Sequence, residues 1–437
     1  MTLLNPHHAD DFDDRAPVAG RERLLLALGG AFVLVNHVAL LLARDRPAFY
    51  LWPVMVWALC AAGGHILLNR RLPARDPLLF PLAMLLTGWG LNLIARLVPS
   101  YTVRQTSWLV VGMAALLALT ALPRDLRWLR RYRYTWLIGG LALLFLTILI
   151  GQNPADTGPR LWLWLGFGRV YYQPSELLKI LLVVFLASYF AEHGRYMRQD
   201  TVRLGPWQVP SPAFLGPVLL MWGLCVIVLV WQRDLGTATL FFAVFMAMLY
   251  LASGQALLLA GGAVLLVLAS AAAYHLFAVV ALRIDIWWNP WPTANTGGYQ
   301  IVQSLIAVAS GGVLGQGIGQ GYPGIIPVVH SDFAFAAIAE EWGLIGTLGV
   351  VGTLAALVVR GMRVAARARQ PFNMLLAAGL SALIAVQSLL IMGGVLRLVP
   401  LTGVTLPFVS YGGSSLLTNF AAVGLLLVLS EGDERAL

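Results

Sequence analysis

The sequence predicts an all-α polytopic membrane protein, a helical bundle with about twelve transmembrane helices. Hydrophobic residues make up 59% of the 437-residue chain and charged residues only 11%, with a mean hydropathy of +0.78. Apolar runs of bilayer-crossing length repeat along the chain, and arginines gather in the connections between them. A soluble domain of this length does not have this balance, so the spans must satisfy their backbone hydrogen bonds within helices.

The predicted spans are residues 24–42, 50–68, 78–97, 108–122, 136–150, 174–190, 214–230, 237–251, 256–276, 334–358, 374–395 and 415–429. Arginine clusters that begin at Arg70, Arg124, Arg195 and Arg360 mark one set of loops, whereas the alternate loops carry few arginines. By the positive-inside rule, the arginine-rich loops and both termini are predicted to be cytoplasmic.

The rest of the composition excludes several classes of protein. Residues 1–19 are polar and acidic, which predicts a disordered cytoplasmic tail, and residues 431–437 form a second tail. The formal charge of +9 does not indicate nucleic-acid binding, because the arginines lie between apolar runs. Cys60 and Cys225 lie inside apolar runs and are interpreted as small core residues. Without a nucleotide-binding glycine motif, nucleotide-driven transport has no support.

Asp234 lies in a short polar connection between two predicted spans, on the outer side of the membrane. The connection is too short to leave the membrane surface, and Gly236 is expected to let the chain turn there. Two interpretations stay open: a polar turn between helices, or a carboxylate held at the interface for chemistry or ion binding.

Lys179 is the only lysine of the chain, and it lies inside a predicted span. Pro174 suits the first turn of that helix, and Glu176 lies at the positive end of its dipole. Glu176 and Lys179 are three residues apart and therefore share a face, where each can neutralise the other. The pair is interpreted either as a structural lock or as part of a cavity for an anionic substrate.

The long outer loop, residues 282–333, contains a glycine-rich segment at 311–319 that resembles a phosphate loop in composition only, or else forms a flexible lid. His330 and Asp332 are a weak metal-ligand signal, and Asp332 as a helix N-cap explains the sequence at least as well. Glu340, about two turns inside the next span, is expected to face the bundle.

The last outer loop, residues 397–414, has two prolines and three glycines at membrane depth. Irregular backbone is tolerated there only where it lines a protein-enclosed or wet cavity. The residues alone thus predict an outer-face cavity that suits an anionic, lipid-linked substrate, with arginines available for phosphate or carboxylate groups. These arginines are Arg160, Arg233 and Arg397.

Four ordered motifs resemble the SEDS family (shape, elongation, division and sporulation), which includes FtsW, RodA and SpoVE. The resemblance extends over residues 78–429. It is carried by Gln173-Pro174-Ser175-Glu176 with Lys179, by Asp234-Leu235-Gly236-Thr237, by the region from Gln300 to Glu341, and by residues 402–414. It implies a peptidoglycan glycosyltransferase that polymerises lipid II into β-1,4 glycan strands at the outer face of the bacterial cytoplasmic membrane. It also implies a class B penicillin-binding protein as partner, beside lipid II, the growing glycan strand and membrane lipids.

Two features depart from the family pattern. The residue before the aspartate is Arg233, where the family commonly has proline. The family core has ten spans, so residues 20–75 are interpreted as an N-terminal two-helix addition to a core of residues 76–430.

The resemblance implies that Asp234 is the catalytic aspartate and that Glu176 and Lys179 form an essential pair. An inverting transfer needs one base and charge stabilisation for the departing pyrophosphate, and Asp234 is the predicted base. A divalent cation, Mg²⁺ or Mn²⁺, is a further candidate at the pyrophosphate, with no ligand set defined. The predicted substrate-binding residues are Arg160, Trp162, Gln173, Ser175, Arg233, Asp332, Glu340, Arg397, Ser410 and Tyr411.

A lipid II flippase is the alternative function. It predicts an ionisable pathway through the membrane and inverted repeats, whereas the polar residues of this sequence cluster at the outer face. A pure scaffold is a third reading, and it would not need Glu176 and Lys179 buried together.

Overall fold

The computed structural model describes residues 18–123, 126–153, 160–166, 170–199, 201–204, 207–210 and 234–432, with residues 216, 219, 222–223, 226–227 and 230–232. Its helices are α1 (Val18–Ala43), α2 (Trp52–Arg71), α3 (Leu79–Leu97), α4 (Thr102–Ala121), α5 (Arg127–Arg131), α6 (Arg133–Ile150), α7 (Pro174–Gln199), α8 (Leu235–Ser253), α9 (Ala256–Leu276), α10 (Ala278–Trp288), α11 (Tyr299–Gly311), α12 (Ala334–Arg367), α13 (Pro371–Val395) and α14 (Gly413–Gly432). Two short antiparallel hairpins pair β1 (Leu163–Trp164) with β2 (Tyr171–Tyr172), and β3 (Thr201–Leu204) with β4 (Trp207–Pro210).

Eleven helical segments of the described chain are long and apolar enough to cross a membrane, and each coincides with a predicted span. The remaining predicted span, 214–230, lies mostly outside the described residues, but the residues described within it are helical. The prediction of an all-α polytopic membrane protein is therefore confirmed. The outer loop 282–333 is more ordered than expected, because α10 and α11 occupy much of it.

The bundle has two chemically different ends. One, called here the arginine-rich end, holds the connections α2–α3 and α12–α13. The other, the loop-rich end, holds the segments before α7, α8, α12 and α14. At the interior of the bundle, α3, α7 and α14 are mostly buried, whereas α9 is almost wholly exposed along its length. The helices α4 and α14 pack together, as do α12 and α13.

The arginine-rich end ties the first two helices to the rest of the bundle. Arg75, after α2, donates to both carboxylate oxygens of Glu22 on α1, at 2.9 and 2.6 Å, and both side chains are fully buried. His65 of α2 lies 2.7 Å from the same carboxylate. Next to it, Arg360 of α12 pairs with Asp76. These charges pair within each part, whereas hydrogen bonds join residues 20–75, interpreted above as an addition, to the core: Arg71 donates to the Leu117 carbonyl of α4 and the Ala74 amide donates to Glu431 of α14, both at 2.7 Å.

The helix α12 is broken inside its membrane-crossing length. Gly343 has φ 64° and ψ −157°, which interrupts the helical hydrogen bonds. The glycine loop, residues 311–321, supplies the missing partners: the amides of Leu344 and Ile345 donate to the carbonyls of Gly312 and Val313. Irregular backbone at this depth is stable only when protein satisfies it, and here the loop does so. The glycine loop therefore stabilises the break in α12. This role differs from the two interpretations left open by the sequence, a phosphate-type loop and a flexible lid.

Candidate active site

The pair formed by Glu176 and Lys179 lies in the first turns of α7. The Lys179 ammonium is 2.7 Å from Glu176 Oε1, and the two side chains are only 1% and 8% exposed, respectively. The expected contact across one helix face is present. Lys179 also donates to Gln387 Oε1 of α13 at 3.2 Å. The buried ammonium thus has two oxygen partners, which offset its loss of hydration.

A chain of hydrogen bonds continues from Gln387 across the loop-rich end. Its amide nitrogen donates to the Thr405 carbonyl at 2.8 Å. The Thr405 hydroxyl is 2.7 Å from that of Ser415 on α14, to which Asn419 donates at 3.3 Å. The pair therefore fixes α7, α13, α14 and the 402–412 segment relative to one another. Gln387 is not among the residues predicted from the sequence, although a lone glutamine in an apolar run was a signal for it.

Asp234 lies beside this network. Its Oδ1 accepts from the Thr237 amide at 3.1 Å, so Asp234 is the N-cap of α8. Its Oδ2 accepts from the Ser175 hydroxyl at 3.5 Å, and the residue is half-buried. Gln173 donates to Ser175 at 3.0 Å. The structure thus brings together the motif before α7 and the motif before α8, while Arg233 lies outside the described residues.

Gly236 has a role other than the one expected from the sequence. Its φ is not positive, so it does not supply a turn that only glycine can make. Instead, a Cβ atom at this position would lie 2.1 Å from the Thr402 carbonyl oxygen, so only glycine allows this approach. The Thr402 hydroxyl is buried and has no hydrogen-bond partner among the described residues. A buried polar atom without a partner indicates a place where water or substrate binds.

Asp332 lies on the other side of the same segment. Its Oδ2 is 3.7 Å from the point that a Cβ of Gly403 would occupy, and its Oδ1 accepts from the Ser331 hydroxyl at 2.8 Å. The expectation that Asp332 caps a helix is wrong: Phe333 holds the N-cap position of α12, and no side chain caps that helix. The carboxylate is therefore free of a capping role.

Burial raises the pKa of Asp332 from 3.8 to about 6, against the lowering effects of the Ser331 hydrogen bond and of the Arg283 charge. Arg283, on α10, also approaches the Thr402 carbonyl at 3.5 Å. The sequence analysis did not single out Arg283, because its loop had no predicted helix to position it.

His330 stands between two aromatic rings, with centroid distances of 5.3 Å to Tyr101 and 5.6 Å to Tyr411. Burial lowers the pKa of His330, so its imidazole is neutral at neutral pH. Among the described residues, no group of three or more His, Cys, Asp and Glu side chains is placed to hold a metal ion. The described residues therefore define no set of side-chain ligands for a divalent cation.

Ser410 and Tyr411 brace the last loop against the segment that carries Asp332. The Ser410 hydroxyl donates to the Ser331 carbonyl at 2.6 Å and accepts from the Leu406 amide at 3.0 Å. The Tyr411 ring stacks on Tyr101 at 4.7 Å. The Tyr411 amide donates to the His330 carbonyl at 2.8 Å, so both residues, predicted to bind substrate, contact the segment that carries Asp332.

The other predicted substrate-binding residues are spread more widely. Arg160 is exposed, and Trp162 forms an isolated β-bridge with Gln152. Arg397 has φ 58°, and its carbonyl accepts from a tryptophan of α10. Glu340 is buried, as expected, but its Oε1 accepts from the backbone amide of Tyr322 at the glycine loop. The structure therefore links Gln173, Ser175 and Asp234 by hydrogen bonds, and Asp332 lies near Gly403, next to the Thr402 carbonyl that Gly236 approaches.

The fold and site define a polytopic helical membrane protein with a network of polar side chains at one end of the bundle. A family model described as cell cycle protein, FTSW_RODA_SPOVE, matches residues 92–434. The chain is 35% identical over 432 residues to the peptidoglycan glycosyltransferase RodA of Mycobacterium leprae, covering 95% of this chain and 92% of that protein. It is 36% identical to the probable peptidoglycan glycosyltransferase FtsW of Geobacter sulfurreducens, covering 75% of this chain and 84% of that one.

Two solved structures have the same fold. One is a chain of a peptidoglycan synthase complex, described as coordinating polymerization and crosslinking, with 26% identity and a TM-score of 0.70 over 83% of this chain and 99% of that one. The other is the rod shape determining protein RodA of Thermus thermophilus, with 24% identity and a TM-score of 0.58 over 83% of this chain and 98% of that one. The chain belongs to the FtsW, RodA and SpoVE family of cell cycle proteins. Because the mycobacterial alignment covers 95% of this chain, it includes most of α1 and α2.

The buried pair generates a stability prediction. Glu176→Leu and Lys179→Met should each lower the free energy of unfolding by about 3–5 kcal/mol, because each leaves an uncompensated buried charge. The double variant should recover most of that loss, since both charges are gone. Thermal unfolding of the purified chain in detergent measures this cycle. Gln387→Met is the matched control: it keeps the pair, removes the hydrogen bonds to Lys179 and to the Thr405 carbonyl, and should cost about 2 kcal/mol. Additive losses in the double variant would show that the two charges do not depend on each other.

Proposed function

We propose that this protein is a peptidoglycan glycosyltransferase that polymerises lipid II into β-1,4 glycan strands. One observation carries the proposal: a site with a buried lysine and two carboxylates lies at one end of a membrane bundle, where a lipid-linked substrate meets polar side chains. Its relatives named peptidoglycan glycosyltransferase, which match nearly the whole chain, support the same activity. A lipid II flippase would need polar groups along the whole membrane path, and no observation favours it.

The reaction is a single displacement that inverts the anomeric carbon. An acceptor sugar hydroxyl attacks that carbon, a new β-1,4 C–O bond forms, and the bond to the α-linked pyrophosphate breaks. The hydroxyl proton passes to a base, and the polyprenyl pyrophosphate leaves with the electron pair. The protein must therefore supply one proton acceptor and positive charge near the leaving group.

Two carboxylates compete for the role of base. Asp234 was assigned to it from the sequence, but both of its oxygens accept hydrogen bonds, and one of them caps α8. Asp332 has no capping role, and burial brings its pKa to about 6, close to the range in which a base accepts protons efficiently at neutral pH. We therefore assign the role of general base, which accepts the proton of the acceptor hydroxyl, to Asp332. In this assignment Asp234 is a positioning residue that holds Ser175 and the first turn of α8.

The positive charge at the leaving group comes from Arg283 and Lys179 in this proposal. Arg283 is the cation beside Asp332 and the Thr402 carbonyl, where its fork of N–H donors suits a phosphate group. Lys179 is partly neutralised by Glu176, and it contributes mainly to the electrostatic potential of the site. A divalent cation stays a separate prediction, and no step here uses one.

The loop-rich end is proposed to face outward, with both termini in the cytoplasm of a bacterial cell, because arginines concentrate at the opposite end. A class B penicillin-binding protein is the proposed partner. Support for it comes from the similarity to a chain of a peptidoglycan synthase complex that couples polymerization and crosslinking. Such a partner would cross-link the strands that this site produces.

The orientation predicts the accessibility of single cysteines. In a variant without Cys60 and Cys225, Asn295→Cys, which is exposed at the loop-rich end, should react with a membrane-impermeant maleimide in intact cells. Arg130→Cys, which is exposed at the arginine-rich end, should react only after the cells are opened. Labelling of position 130 but not of position 295 in intact cells would reverse the orientation and refute an outward-facing site.

The choice of base predicts different losses for two isosteric substitutions. Asp332→Asn should reduce the rate of glycan synthesis from purified lipid II by about 10²–10⁴-fold, the usual worth of a general base. Asp234→Asn keeps a capping side chain and should lose much less. Product strands are measured on gels, with monodisperse elution as a folding check. Asp285→Asn is the control for loss of a carboxylate at the same end, since Asp285 is exposed and accepts a hydrogen bond from Tyr274.

A larger loss of activity in Asp234→Asn than in Asp332→Asn would instead assign the role of base to Asp234. If wild-type protein, alone and with a penicillin-binding partner, makes no glycan but moves lipid II across vesicles, the polymerase proposal itself fails.

A further inference from the structure

A cavity lies at the loop-rich end, where α1 ends, α2 begins, and α3 meets α4. Its volume is about 150 Å³, which is about the space that five molecules of liquid water occupy. None of the residues assigned above to glycan synthesis lines it. The cavity is therefore separate from the site of the proposed reaction.

Three arginines line this cavity: Arg44, Arg46 and Arg96. No acidic residue is among the described residues that line it. The position of Arg96 is fixed, because its guanidinium pairs with Glu341 at 2.8 Å and donates to a carbonyl of the glycine loop. Arg44 and Arg46 have no carboxylate partner among the described residues, although Asp45 lies between them in the chain. The cavity therefore presents positive charge that the described residues leave only partly balanced.

The walls of the cavity are fixed by hydrogen bonds. His37 of α1 lies 2.8 Å from Asn92 Oδ1 of α3 and 2.9 Å from the Tyr50 carbonyl before α2. Arg46 lies over the Tyr50 ring, 5.4 Å from its centroid. The glycine loop closes the side of α1, where a Cβ at Gly319 would lie 3.4 Å from Leu40. These contacts hold the space open, so a ligand would not have to create it.

The rest of the lining is apolar and continues onto the outer surface of the bundle. Leu41 and Trp52 contribute to the lining, and Leu42 and Phe49 nearby are each 78% exposed. In a membrane, an exposed apolar surface of this kind contacts acyl chains, and aromatic residues at such a boundary lie at headgroup level. A ligand that fits must therefore combine an anionic head with an apolar tail.

We propose that this cavity binds the phosphate of an anionic phospholipid, such as phosphatidylglycerol, from the leaflet at the loop-rich end. The phosphate accepts hydrogen bonds from Arg44 and Arg46, and the guanidinium of Arg96 adds charge from the wall. The acyl chains lie along the exposed apolar residues of α1 and α2. A lipid-linked disaccharide has the same phosphate chemistry, but its sugar and peptide head exceeds a cavity of about 150 Å³. The bound lipid would tie the first two helices to α3 and α4.

Native mass spectrometry of the full-length, delipidated protein in detergent tests this proposal without any activity assay. Titration with phosphatidylglycerol should show one lipid that binds at least about tenfold more tightly than phosphatidylcholine, because the two lipids share the phosphate but the three arginines repel the choline cation. Arg44→Gln with Arg46→Gln should abolish the preference. Arg23→Gln, an exposed arginine at the opposite end of α1, should retain it.

A second variant tests the cavity independently, in case the arginine substitutions prevent folding. Val103 lines the cavity and is 61% exposed, so Val103→Phe fills the space without changing charge or core packing. It should also abolish tight binding of phosphatidylglycerol. Equal binding of the two phospholipids by wild-type protein, or unchanged preference in both cavity variants, would overturn the proposal. Stronger binding of polyprenyl pyrophosphate than of phosphatidylglycerol would overturn it too, and would assign the cavity to a lipid-linked sugar carrier.

Discussion

The loop-rich end depends on the burial of one lysine. An ammonium group inside an apolar bundle is strongly unfavourable unless oxygen atoms replace its water, and Lys179 finds them on Glu176 and Gln387. These partners lie on α7 and α13. Gln387 also donates to the Thr405 carbonyl, and the Thr405 hydroxyl contacts Ser415 of α14. The helices α7, α13 and α14 are thus tied to one another through contacts that begin at one charge.

The second constraint is that backbone at membrane depth must be satisfied by protein. Around the site the chain is irregular in two places, the 402–412 segment and the break of α12 at Gly343. Each is held by specific partners: Ser410 braces the first against Ser331, and the glycine loop braces the second. The first of these contacts holds the segment that carries Asp332 against the 402–412 segment.

Much of the fold could be predicted from the sequence, because apolar runs of bilayer length have one stable solution. The Glu176–Lys179 contact was equally local, since residues three apart on a helix are neighbours. The roles of Gln387 and Arg283 depend on contacts between segments far apart in the chain, which no local pattern reports. Gly236 shows the same limit: its need for glycine comes from the Thr402 carbonyl, not from its own turn.

The choice between the two carboxylates also lay beyond the sequence. Asp234 has the stronger local signal, because it lies in a short polar connection between two apolar runs. Only the structure shows that its oxygens are occupied at the N-terminus of α8, and that burial raises the pKa of Asp332. The chemistry of a carboxylate depends on its desolvation and hydrogen bonds, and both are tertiary properties.

The pH dependence of kcat/KM for glycan synthesis from purified lipid II tests the central claim most directly, because it reports the essential base of the free enzyme. Asp332 accepts a proton only when ionised, so kcat/KM should be low in acid and rise with pH through a midpoint of about 6. Asp234→Asn should keep that midpoint. A profile that is flat between about pH 5 and about pH 8 would contradict the account, as would a midpoint that disappears in Asp234→Asn.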